Sequence, residues 1–213
     1  MDPVVIGGLI LALALTGRTA GSRTAWLAGL AVLAITFISP ICALASSLFS
    51  VRVLHHVLIV AVAAPLLVLG LRMRSQDGTL AFLTHLGVIW LWHMPAPYQA
   101  ALDSVPIYWV MELSLLLSAI WLWSAILAPG NVGRAITLSL GTLVQMGLLG
   151  ALLTFANHPL FAAHLATTAP FGLSPLEDQQ LAGLLMWVPA AIPYVGLALH
   201  RLCVDLLFRE HPA

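Results

Sequence analysis

The chain has 213 residues, 61% of them hydrophobic and 8% charged, with a mean hydropathy of +1.03. A soluble domain keeps about a quarter of its residues charged, so this chain cannot wet its own surface, and it reads as a single all-α membrane domain over residues 1–213. Eight arginines balance eight acids with no lysine, and no basic patch, phosphate-binding Gly-rich loop or nucleophile motif appears, so nothing argues for nucleic acid or for an enzyme.

The start, Met-Asp-Pro-Val-Val, lacks the positive n-region of a secretory signal, and its apolar run is expected to be retained. Hydropathy predicts about seven membrane-spanning helices, each near the roughly 20 residues a bilayer requires. They cover about residues 3–16, 24–45, 52–71, 79–94, 106–127, 135–156 and 180–207, the first being short. Connections are punctuated by Gly, Pro, Ser and Asp. Arg18, Arg23, Arg72, Arg74, Arg134, Arg201 and Arg209 all fall on one side of this arrangement, and Arg52 alone on the other. The positive-inside rule makes the arginine side cytoplasmic, with the N-terminus outside and the C-terminus inside.

The remaining polar residues gather at the opposite ends of the spans: Cys42, Arg52, His55, His56, His93, Met94, Tyr108, Glu112 and Asp178, with His158 and His164 in the loop after span six. The inner side keeps His200 and His211. Ionisable groups are costly inside a bilayer, so such one-sidedness marks a functional site.

In span two, Cys42 follows Pro40 and serves as a small hydrophobe or a remote copper ligand. Span three opens Arg52-Val-Leu-His55-His56, where Arg52 and His56 share a face and His55 points about 100° away from His56. His56 is then a metal ligand with His55 beside it, or all three are interfacial, with Arg52 on a headgroup phosphate. In span four, His85, Ile89 and His93 recur every fourth residue, and Pro95 and Pro97 stop the helix just beyond. His85 lies about 12 Å deeper than His93. An imidazole and a thioether together, His93 and Met94, are donors that soft copper accepts; the plain alternative is an interfacial histidine beside a packing methionine.

Span five opens with Tyr108 and Glu112 on one face, and a carboxylate one turn inside an apolar helix needs a metal, an imidazolium or Arg52 as partner. Span seven carries Glu177 and Asp178 at its N-terminus, where the macrodipole favours acids. Asp178 and Gln179 can also orient a ligand histidine from behind. Met186 reads as packing and Pro189 as a kink. His158 and His164 read as surface residues, and His200 as a snorkelling or capping one.

Three blocks, in this order, carry a resemblance. They are Phe49-Ser50 through His56 to Ala64-Pro65 and Gly70, then Trp92-His93-Met94-Pro95 with Tyr98 and Ala101-Leu102, then Leu176-Glu177-Asp178-Gln179-Gln180 to Gly183 with Met186-Trp187. From about Ser47 to Val195 the chain resembles the CtaG-type cytochrome c oxidase assembly factors. The resemblance implies a multi-pass protein of the bacterial plasma membrane that assembles haem-copper oxidase, is thought to deliver copper to it, and is no enzyme. By position, His56 and His93 match histidines of the family pattern, and Asp178 and Gln179 its acid–amide pair. Arg52, Tyr108 and Glu112 stand where histidines are expected, and His55 where another polar residue is usual, which removes up to three soft-metal ligands.

The expectation is an assembly factor holding copper near the outer face through His56, His93 and Met94, with His55 and Glu112 next in line. Arg52, Tyr108, Asp178 and Gln179 surround them, and Cys42 and His85 are remote ligands. Haem-copper oxidase subunits and the bilayer are the expected partners. Two rivals remain: a metal-free membrane chaperone for oxidase subunits, favoured by Arg52 and Glu112, and a haem- or quinone-binding membrane protein.

Overall fold

The computed structural model describes residues 3–16 and 21–209. Arg18 and His211, used above, lie outside the described residues. Among those described there is no strand, and the chain forms eleven α-helices. The first is α1 (Pro3–Thr16), which packs on α2 (Arg23–Ile38).

The span expected over residues 24–45 is not one helix. Ser39 turns extended (φ −77°, ψ 171°), its side chain accepts the Ile41 N–H, and Pro40 starts the short α3 (Pro40–Leu44). A proline has no N–H for the preceding turn but suits the first turn of a new helix.

The third span is continuous but not uniformly α-helical. α4 (Phe49–Val57) passes through a π-helical segment, Leu58–Ala63, into α5 (Ala64–Leu71). Pro65 explains the widened turn. The Ala64 N–H bonds the Ile59 carbonyl, so the Val60 carbonyl is left facing Pro65, which has no hydrogen to give. The Trp123 indole N–H takes that carbonyl instead, at 2.9 Å.

α6 (Gly78–Trp92) ends as expected before Pro95, but Pro95 and Pro97 then form the first turn of a further helix, α7 (Pro95–Asp103), with Met94 as its N-cap. α8 (Val105–Ile126) and α9 (Val132–Thr154) match spans five and six. Pro189 does more than kink span seven: it separates α10 (Pro175–Trp187) from α11 (Ala191–Arg209). α10 starts in a reciprocal capping box between Ser174 and Glu177. Gly183 lets it press on α9; a Cβ there would collide with Thr154 and the Gly150 carbonyl.

Four stretches are long and apolar enough to cross a membrane: Phe49–Leu71, Val105–Ile126, Val132–Thr154 and Pro175–Val204. Arg23–Ile38 and Gly78–Trp92 are shorter apolar helices. The arginine-bearing connections are tied together at one end. Arg134 donates to the Gln76 carbonyl and side chain, Arg201 to the Leu127 carbonyl, and the Ser75 N–H to Ser124. His55 and His56 of α4, and His93, which caps α6, lie at the other.

Candidate functional site

The site begins at the N-terminus of α4, whose cap residue, Leu48, has no side-chain acceptor to offer. Asp178 of α10 supplies one. Its carboxylate accepts the Phe49 N–H at 2.6 Å, the Ser50 N–H at 3.1 Å and the Ser50 hydroxyl at 2.5 Å. These bonds hold a charge that is fully buried (0% exposed) and satisfy donors a helix start leaves free. Asp178 thus seats α4 and does not orient an imidazole. Gln179 likewise accepts the Leu160 N–H at 2.7 Å and donates to the Leu153 and His158 carbonyls, fixing the loop after α9.

From this seat α4 presents Arg52, His55 and His56, all buried. Arg52 is therefore not a headgroup-binding interfacial residue. Its guanidinium lies 3.2 Å from Glu112 Oε1 of α8 and 5.3 Å over the Tyr108 ring. His55 Nδ1 is 3.6 Å from Glu112 Oε2, and His56 Nε2 is 3.6 Å from Oε1. One potential ligand atom from each of His55, His56 and Glu112 falls within 4.8 Å of the others, which is metal-binding spacing. The His93 ring stands beside His56, centroids 5.8 Å apart. Its Nδ1 is 2.7 Å from the Ile89 carbonyl, which can only accept; the ring therefore donates there and turns Nε2 out as a lone pair. Trp92 fixes this end of α6 by donating to Ser114 of α8 at 2.9 Å.

The other expected residues are placed elsewhere. Met94 is 54% exposed, because as N-cap of α7 it points away from the cluster. Cys42 is half-buried on α3. His85 is buried lower on α6, 2.9 Å from the Ser118 hydroxyl.

The sequence reading missed the loop that packs over the start of α4. The loop after α9 folds back on α4 and α7: Phe161 stacks on Phe49 at 3.9 Å, and Thr167 donates to the Ser47 carbonyl at 2.6 Å. His164, expected at the surface, is 2% exposed and lies 2.7 Å from the Tyr98 hydroxyl through Nε2. Burial lowers the His164 pKa and raises that of Tyr98, so the phenol donates to a neutral imidazole. The available signal was Phe161 and His164 three apart in a loop without Asp, Glu, Lys or Arg.

Whether the cluster suits copper can be judged from its donors. Among the described residues, both ring nitrogens of His55 and His56, His93 Nε2 and Glu112 Oε2 are buried without a hydrogen-bond partner. Such atoms are costly unless something occupies their lone pairs. Imidazole nitrogens suit copper, and the set is nitrogen- and oxygen-rich because the thioether is turned away.

Helices long and apolar enough to cross a membrane thus converge around buried histidines, a carboxylate and a guanidinium, the pattern of a membrane protein with an internal polar site. The chain matches the family described as cytochrome c oxidase caa3 assembly factor (Caa3_CtaG) over residues 9–76 and 75–206, and it belongs to that family. Comparisons with curated proteins and with solved structures gave no match.

Proposed function

We propose that this protein assembles haem-copper oxidase by holding a copper ion briefly at His55, His56, His93 and Glu112 and passing it to an oxidase subunit. The observation that carries the reading is the group of buried ligand atoms of His55, His56 and Glu112 within 4.8 Å of one another, with His93 beside His56 and its Nε2 lacking a hydrogen-bond partner among the described residues. Copper is cargo here, and the protein is no catalyst. Arg52 fits a transient site, since its charge competes with a cation for Glu112 Oε1. The chain is read as one domain of the bacterial plasma membrane with seven crossings, its arginine-rich end cytoplasmic and the histidines toward the outer face. The breaks at Pro40 and Pro189 are compatible with that count, each leaving a single bent crossing.

Purified protein is expected to bind about one copper per chain by elemental analysis, and a His56→Ala/His93→Ala variant to lose it. Equal copper in variant and parent would rule out these ligands. A second reading, a metal-free chaperone gripping an oxidase subunit, is favoured by the Arg52–Glu112 pair, which balances charge without a metal. Co-purification with the oxidase and no copper in either protein would select it.

A further inference from the structure

Most arginines whose side chains are described have an acceptor. Arg52 has Glu112, Arg74 the Met73 carbonyl, Arg134 the two oxygens of Gln76, and Arg201 the Leu127 carbonyl. Arg23 and Arg72 have none, and the ion pairs among the described residues all involve Glu112. These two cations meet at one corner of the arginine-rich end. The Ser22 N–H bonds the Gly70 carbonyl at 3.1 Å, which pins the start of α2 to the end of α5. Arg72, just past α5, lays its side chain over Gly21, where a Cβ would collide with it. Arg23 stands two residues further on, in the first turn of α2, and both arginines are exposed. Charges so placed repel each other, and that first turn holds no acid to offset them.

Beside this corner the surface is apolar. A groove of about 240 Å³ between α1 and α2 is walled by Leu9, Leu13, Leu27, Leu30, Ala31 and Ala34. Arg23, Leu27, Ala31 and Ala34 recur at helical spacing and so share one face of α2. The groove therefore starts one turn from Arg23 and leads away from the charged end. From Arg23 to Ala34 is about 16 Å at the α-helical rise, close to the depth of one bilayer leaflet, about 15 Å.

We propose that this corner binds an anionic phospholipid, its phosphate between Arg23 and Arg72 and one acyl chain in the groove. A guanidinium matches a phosphate in charge and in the fork of its donors. A headgroup with a cation of its own would bring a third positive charge to the two arginines, so a net negative lipid is selected over a zwitterionic one. The site lies at the opposite end of the bundle from His55, His56 and His93 and does not rest on the copper reading.

The test titrates full-length protein in detergent micelles with dioleoyl phosphatidylglycerol, dioleoyl phosphatidylcholine or inorganic phosphate, and counts bound lipid by native mass spectrometry. Phosphatidylglycerol should bind saturably and about tenfold more tightly than phosphatidylcholine. Inorganic phosphate, which has no chain for the groove, should not displace it. Arg72 is the non-glycine residue with positive φ (53°) among those described, so Arg72→Gly suits the backbone it enters. That variant should weaken phosphatidylglycerol about fivefold or more. Arg74→Gln, which removes an equal charge at the same end, should leave it unchanged. Ala31→Trp, which fills the groove with both arginines in place, should weaken it. Equal binding of the two lipids, displacement by phosphate, equal loss in Arg72→Gly and Arg74→Gln, or undiminished binding by a helical Ala31→Trp protein would overturn the proposal. The comparison of lipids needs no variant and decides the matter even if a variant fails to fold.

Discussion

Arg52 and Glu112 face each other 3.2 Å apart with 3% and 1% of their side chains exposed, so each is the other's reason for being charged inside the bundle. Removing one partner of a buried pair strands the other and typically costs about 3–5 kcal/mol. Arg52→Gln is therefore expected to lower the melting temperature of the metal-free protein. The same change frees Glu112 Oε1 and removes a like charge, so copper should bind more tightly and restore much of the lost stability; melting curves with and without copper check both. Asp178→Ala removes three acceptor contacts at the start of α4. A lost cap costs about 0.5–2 kcal/mol, and copper stoichiometry should fall because His55 and His56 lose their seat. The need of Glu112 for a partner was legible in the sequence, since a lone carboxylate within an apolar helix is untenable. The work of Asp178 was not, because the donors it accepts from belong to a helix start 128 positions away.

At the scale of elements, most apolar runs became helices near their expected bounds, and the differences all fall at prolines. Hydropathy averages over a window and cannot register that Pro40 and Pro95 begin new helices or that Pro189 divides one. Nor does composition reveal that Pro65 widens the turn before it, leaving the Val60 carbonyl to Trp123. Trp123→Phe keeps an aromatic body but strands that carbonyl, and a buried unpaired group costs about 1–3 kcal/mol. The variant should melt earlier and lose hydrogen-exchange protection first around residues 58–64. Gly183→Leu should be more damaging, since α9 and α10 would have to separate, carrying Asp178 away from α4. Loss of folded protein on size-exclusion chromatography is the expected readout.

For the molecule as a whole, the start of α4 and helix α7 are covered on one side by the loop after α9, while a cleft along α2 meets Glu112 on the other. The cover carries its own titration. His164 is held neutral below its ordinary value of 6.5 by burial, facing Tyr98, Asp178 and Arg52. Its lowered pKa means that the unfolded or opened loop binds the extra proton, so closure is favoured above 6.5 and weakens as pH falls below it. Hydrogen exchange of residues 160–172 should be faster at pH 5 than at pH 7.5, and a His164→Phe variant should lose that dependence. The proposed orientation puts the arginine-rich end in the cytoplasm. A cysteine placed at Ser75 should react with a membrane-impermeant maleimide only in inverted vesicles, and one at the half-buried Gln99 only in right-side-out cells.

The bond from Asp178 to the start of α4 also governs when the protein can begin work. A chain leaves the ribosome from its N-terminus, so His55 and His56 enter the membrane long before the residue that anchors them has been made. A half-synthesised chain has no assembled pocket and nothing with which to sequester an ion. On the copper reading, competence arrives only once α10 has been made, and a product cut before Asp178 is expected to insert without an assembled site.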